Sequence, residues 1–212
     1  MTKDKTCSSS ERYLITPSLL NSWGWIFNCV DGITSSENDK ISLEDKMHDA
    51  QVKAKEDFIR TLKREPSEPN EYMLAGIQFE KDTYDGKTCF SKIVEGGCFQ
   101  IVGKKNVTIG GMNFLMYGKL DVLKGGTIYD IKRVWKYTRP KYSKSYQHGF
   151  YLELFERANK FEYLIFDGNN PHFEQYYPNE CEKMEVVIKL FIEWLEAEGL
   201  LEMYKKYWKC LW

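Results

Sequence analysis

YGKLDVLKGGTIYDIKRVW, residues 117–135, carries two runs of alternating apolar and polar residues on either side of Gly125-Gly126, the pattern of a β-hairpin closed by a tight turn. With the two glycines as a two-residue loop, Lys124 pairs with Thr127. Counting outward then sets Leu123 against Ile128, Val122 against Tyr129 and Asp121 against Asp130. A four-residue loop keeps this register, whereas a three-residue loop with a bulge shifts it by one and separates the aspartates. The period of two places Lys132 on the face of Asp130, with Leu120, Val122, Tyr129 and Ile131 as an apolar opposite face. Opposed carboxylates, roughly 5 Å apart at Cβ, repel each other, so a fold that keeps them needs solvent, a shared proton or a bound cation. Clustered hard oxygens suit magnesium, which takes a few carboxylates and leaves waters and substrate phosphate to complete its octahedron. Lys132 beside them could orient or help deprotonate an attacking water. On spacing alone, two solvated aspartates on the wet face of a hairpin are the commoner outcome, so agreement with other segments decides.

Outward from the hairpin, the chain from Cys89 keeps a period of two. FSKIVE, CFQIVGK, NVTIGG and MNFLMYGKLDVL, punctuated by Gly96-Gly97, Gly103 and Gly110-Gly111, predict a meander of strands. Upstream, Thr16-Pro17 opens a helix through SLLNSWGWIF, Ser42 with Asp45 starts a charged helix to about Arg64, and Pro69 opens a third through EYMLAGIQFEKDTY. Downstream lie a helix from about Ser145 to Asn159, the strand FEYLIFDG and a short strand around HFEQYY. A helix from Glu180 to Glu198 follows and continues after Gly199. Helices, then sheet, then helix, strand and helix predict an α/β (α+β) domain with a central mixed sheet flanked by helices.

At 212 residues, 42% hydrophobic and 29% charged, the chain can bury one sizeable core, so a single domain over 1–212 is expected, with 1–15 as a loose arm. Lysine plus arginine number 30 against 31 acids, so nucleic-acid affinity must come from local clustering. No run of roughly 18 apolar residues is present and the N-terminus lacks the apolar stretch of a signal peptide. A cytoplasmic protein without a membrane partner is expected. The six cysteines, Cys7, Cys29, Cys89, Cys98, Cys181 and Cys210, are scattered without a CxxC. They read as free thiols, with no iron–sulfur cluster.

GKLD followed by DIK resembles the Asp and (D/E)xK motifs of the PD-(D/E)XK nuclease superfamily. AGIQFE supplies Gly76 and Glu80, similar to the G-x-x-x-E of its phage-type exonucleases. Glu80 stands where RecB-like members usually carry histidine. SYQHGFY supplies Gln147 and Tyr151, similar to the QxxxY helix of the RecB-like branch, and TPSLLNSWGWIF resembles that branch's N-terminal helix. The resemblance spans about Thr16 to Asp167, with the core motifs within about 70–167. It implies a restriction-endonuclease-like core and a Mg2+- or Mn2+-dependent deoxyribonuclease, an exonuclease rather than a sequence-specific endonuclease, of a kind found in phage recombination. By the same resemblance Glu80, Asp121, Asp130 and the carbonyl of Ile131 would bind metal, Lys132 would position the water, and Gln147 and Tyr151 would face DNA. A nucleic-acid-binding protein that keeps the fold without cutting is the alternative.

From Ile131 to Leu152 there is no acid, while Lys132, Arg133, Lys136, Arg139, Lys141 and Lys144 alternate with Trp135, Tyr137, Tyr142 and Tyr146. Cations interleaved with aromatics can neutralise phosphates and stack on frayed bases, which makes DNA the expected partner. His48, His148 and His172 are not expected to act as catalytic bases. The aromatic C-terminus, with apolar residues at helical spacing, reads as packing.

Overall fold

The computed structural model describes residues 11–34 and 41–210. In chain order the elements are β1 (Arg12–Ile15), α1 (Pro17–Asn28), α2 (Leu43–Leu62), α3 (Glu71–Tyr84), a single turn α4 (Ser91–Val94), β2 (Cys98–Phe99), β3 (Val102–Ile109), β4 (Met112–Lys119), β5 (Val122–Lys124) and β6 (Thr127–Arg133). They continue with α5 (Gln147–Leu154), β7 (Lys160–Phe166), β8 (Pro171–Tyr176), α6 (Met184–Ala197) and α7 (Leu201–Trp208). The expected mixed sheet and flanking helices are present, split into a three-stranded sheet, β1-β4-β3, and a five-stranded sheet, β2-β5-β6-β7-β8. No described helix is long and apolar enough to cross a membrane.

The helix starts follow side-chain capping. Thr16 accepts a hydrogen bond from the Leu19 N–H with Pro17 in the first turn, and Ser42 accepts from the Asp45 N–H. Asn70 caps α3 by accepting from Met73, so Pro69 lies outside that helix rather than opening it. Residues 12–15, expected in a loose arm, instead form β1, parallel to β4. Residues 1–10, with Cys7, lie outside the described residues.

FSKIVE, expected as a strand, forms α4. The Ser91 hydroxyl donates to the Thr83 carbonyl at 2.8 Å and accepts from the Thr88 N–H at 3.0 Å, and such local side-chain bonds draw the backbone away from a sheet ladder. Gly96-Gly97 therefore joins α4 to β2 rather than two strands. The helix expected from Ser145 to Asn159 is shorter. Asn21 Oδ1 accepts the Tyr146 N–H at 2.8 Å before its start, and the Asn159 N–H is used by the Gly126 carbonyl at 2.9 Å beyond its end. The C-terminal helix begins at Met184 and breaks at Gly199, whose φ is +67°.

Gly125 and Gly126 both have positive φ, 55° and 79°, the conformation of a two-residue type I′ turn. Lys124 pairs with Thr127, Leu123 with Ile128 and Val122 with Tyr129. A second hairpin runs back from there. Val102 pairs with Lys119 and Cys98 with Leu123, so one register spans both sheets. Between these two ladders only the Leu120 N–H to Ile101 carbonyl and Gln100 N–H to Asp121 carbonyl bonds continue it, at 3.0 and 2.9 Å. Gln100 sits there at φ +55°, a left-handed conformation uncommon outside glycine.

This irregularity takes Leu120 off the expected apolar face, while Val122, Tyr129 and Ile131 keep to it. Val122 and Ile131 pack with Phe90, Val94 and Leu164 on the α3 side of the sheet, whereas Leu120 packs with Ile128, Phe161 and Tyr163 on the α5 side. Both faces are covered, and Asp130 is only 3% exposed. α5 lies in the crossover between the parallel strands β6 and β7. A further core joins α1, α2, α6 and α7 to the three-stranded sheet.

Candidate active site at the split in the hairpin

Two residues apart on β6, Asp130 and Lys132 point to the same face, and Lys132 Nζ lies 2.6 Å from Asp130 Oδ2. Gln147, the first residue of α5, donates from Nε2 to Asp130 Oδ1 at 2.5 Å. Asp121 lies just past Val122 and Tyr129, the last paired residues of the hairpin, and its Oδ2 accepts the Ile131 N–H at 2.9 Å. Glu80 arrives from α3. Its Oε1 accepts from the Tyr84 hydroxyl and from Gln100 Nε2, both at 2.6 Å, and the same Gln100 amide donates to the Tyr84 hydroxyl at 3.0 Å.

The electrostatics tie these groups into one cluster. Burial pushes the Asp121 carboxyl well above the usual carboxylate range, and the charges of Asp130 and Glu80 add to that against Lys132 and the Ile131 N–H. Burial likewise raises Asp130, opposed by Lys132 and Gln147 and reinforced by Glu80. For Lys132 burial disfavours the charge, but Asp130 and Asp121 outweigh it and hold the ammonium above the usual lysine range. Two aspartates thus share one ammonium, with the Glu80 charge bearing on both. Asp130 Oδ2, buried, has no hydrogen-bond partner beyond its ion pair among the described residues, and so keeps a lone pair for a further cation. The donor chemistry fits a hard divalent ion. Among the described residues, however, no three His, Cys, Asp or Glu side chains are drawn into one array of metal ligands.

Tyr151, expected to face DNA, is 5% exposed and donates its hydroxyl to the Lys119 carbonyl at 2.7 Å, tying α5 to β4. A cleft of about 380 Å³, lined by Thr16, Ser18, Lys119, Lys132, Gln147 and Tyr151, opens beside it. Of the basic stretch, Arg133, Lys136, Arg139 and Lys141 are exposed, while Lys144 is paired with Asp31 at 2.7 Å. Its aromatics divide. Tyr137 stacks on His172, Tyr142 on Tyr163 and Tyr146 on Trp23, with centroids 4.2, 4.4 and 5.8 Å apart. Trp135 alone of the four is 85% exposed.

The stretch is held as a strap over the sheet by Glu174, 3% exposed, whose two carboxylate oxygens accept the Lys141 and Tyr142 N–H groups at 2.6 and 3.0 Å. The Tyr176 hydroxyl donates to it as well, at 2.7 Å. The histidines stand apart from the cluster. His48 is exposed, His172 pairs with Asp167 at 2.7 Å, and His148 stacks on Tyr176 at 3.9 Å. Burial lowers His148 to about 4.

Sequence reasoning missed Gln100, Tyr84 and Glu174. Glu174 had a signal, an acid inside the otherwise aromatic strand HFEQYY. Gln100 had none, because nothing marks a glutamine for a left-handed backbone.

No family model matches the chain, and no curated protein matches it in sequence. Among solved structures, the crystal structure of SSO0001 matches over 93% of this chain and 79% of that one, with a TM-score of 0.54 at 11% identity. The fold is therefore shared. A candidate exonuclease from Eubacterium rectale matches over 99% of this chain and 91% of its own at 10% identity, with a TM-score of 0.39, too low to bear on the fold.

Proposed function

We propose that this chain is a metal-dependent nuclease that hydrolyses DNA phosphodiester bonds at Glu80, Asp121, Asp130 and Lys132. The observation that carries this is the buried Asp130 carboxylate clamped between Lys132 and Gln147, with Asp121 bonded to the next residue's N–H and repelled by the Asp130 charge. Burying like charges together is costly unless the site has a use for a cation. Magnesium or manganese, drawing Glu80 in beside Asp121, Asp130 and the Ile131 carbonyl, would supply an acidified water and neutralise charge on the phosphorane-like transition state.

The chain's own residues do the rest. Gln147 fixes the plane of the Asp130 carboxylate, and the Tyr84 and Gln100 donors fix Glu80. Lys132, kept charged by its two aspartates, donates a hydrogen bond that orients the attacking water rather than removing its proton. The exposed Arg133, Lys136, Arg139 and Lys141 receive the phosphates. The motif resemblance extends the proposal to an exonuclease.

Linear DNA should be degraded with magnesium and spared on chelation, and Asp130→Ala or Lys132→Ala should lower the rate about a hundredfold or more. End-labelled linear, nicked and closed circular substrates read out together whether cutting starts at ends. DNA binding with magnesium and no cutting on any of them would make the chain a non-cutting binder instead.

A further inference from the structure

The first turns of α3 overhang the sheet. Phe79 stacks on Phe166 at the end of β7, with centroids 5.2 Å apart and planes 2° from parallel, while Tyr72, Met73, Leu74 and Ile77 before it are exposed. Under the overhang is a cavity of about 530 Å³, lined by Tyr72 and Ala75 of α3, by Arg133 and Trp135, and by the turn after β7. That volume lies in the range of small-ligand pockets. Tyr72 and Trp135 meet edge to face at 6.4 Å, 68% and 85% exposed, so two aromatic faces remain open at one corner.

The polar rim says which part of a nucleotide this corner takes. Arg133 brings the positive charge, while Glu71 and Asp167 also line the cavity and would repel a phosphate. The Asp167 carboxylate is already engaged by the Asn169 and Asn170 N–H groups and by His172. A phosphate belongs at Arg133 and a neutral, flat group belongs inside. Arg133 follows Lys132 on β6 and therefore points to the opposite, α3 face of the sheet, so the cavity is reached along the helix that also carries Glu80. Along α3, Tyr72 is about 12 Å from Glu80 at 1.5 Å per residue, a few nucleotides away.

We propose that Tyr72 and Trp135 form a stacking site for one unpaired nucleobase, so that the strand this site accepts is single-stranded or frayed. A base within a duplex has no free face to offer, and stacking of a splayed base on an aromatic ring is worth enough to select for it. The distance to the cut rests on the nuclease proposal. The binding of the base does not.

The test is fluorescence anisotropy, in chelator, on DNA hairpins carrying a short single-stranded tail, with one abasic position moved along the tail. Wild-type protein should lose about tenfold in affinity at one tail position only. Trp135→Ala and Tyr72→Ala should show that loss on the intact tail and no further loss at that position, and Trp135→Phe should restore much of it. Both side chains are exposed, and circular dichroism checks the fold of each variant. Equal binding by wild type and both alanine variants, or an equal loss at every abasic position, overturns the stacking site. Digestion of the same substrates with magnesium separates the two proposals. Cutting without any position-selective binding removes the base site and keeps the nuclease, and position-selective binding without cutting does the reverse.

Discussion

Gln100 holds Glu80 in place from a backbone conformation that costs about 1 kcal/mol or more for a non-glycine residue. Gln100→Gly removes that strain and the amide bonds to Glu80 and Tyr84 together. Stability should change by no more than about 1 kcal/mol, since the two effects oppose each other. Nuclease rate should fall about tenfold or more, because Glu80 is left free to turn. Urea unfolding alongside digestion kinetics checks both halves, and an unchanged rate would remove Glu80 from the site. At this scale the sequence was informative wherever counting suffices. The pairing of Lys124, Leu123 and Val122 with Thr127, Ile128 and Tyr129 follows from two glycines and a period of two. The conformation of Gln100 depends on where two sheets part, which no local pattern encodes.

Among the elements, the strap over residues 134–145 depends on one buried carboxylate. Glu174→Ala leaves the partly buried Lys141 and Tyr142 N–H groups without their acceptor and should cost about 2 kcal/mol, whereas Glu174→Gln, which keeps one acceptor, should cost about 1 kcal/mol. Denaturant unfolding measures the cost, and faster amide hydrogen exchange at Lys141 and Tyr142 in the alanine variant locates it. DNA binding should weaken in parallel, since Arg139 and Lys141 lose their fixed positions. α5 shows a different dependence. Gly103 and Gly118 pair across β3 and β4, and a Cβ at Gly118 would come within 2.6 Å of the Tyr151 ring, so missing side chains let the helix lie close enough for the Tyr151 to Lys119 bond. The capped helices and the glycine-closed hairpins were legible because single residues fix them. α4 was not, because FSKIVE alternates like a strand and only the Thr83, Thr88 and Ser91 hydroxyls, brought together by the fold, turn it into a helix.

For the whole molecule, the near-neutral charge of −1 hides a concentration of negative charge in the core and positive charge on the strap. The raised carboxyls of Asp121 and Asp130 set the sign of the pH dependence. A carboxyl whose folded pKa lies above its unfolded value stabilises the fold at low pH, and that contribution is lost as pH rises from about 4 through the raised folded values. Without metal, the urea midpoint should therefore fall across this window. Magnesium should raise it at pH 7 and have little effect near pH 4, where protons compete for the same oxygens. Asp130→Asn should flatten both responses, and a midpoint indifferent to magnesium at pH 7 would count against a cation at the cluster. The overall architecture was legible from the order of its periodic segments, but not the division of one sheet into two. That division has a consequence for unfolding. Because β2 runs on into β3 and β4 into β5 in a single hairpin register, neither sheet can melt without pulling on chain that continues directly into the other. The two should behave thermally as one cooperative unit, with a single calorimetric transition whose van't Hoff and measured enthalpies agree.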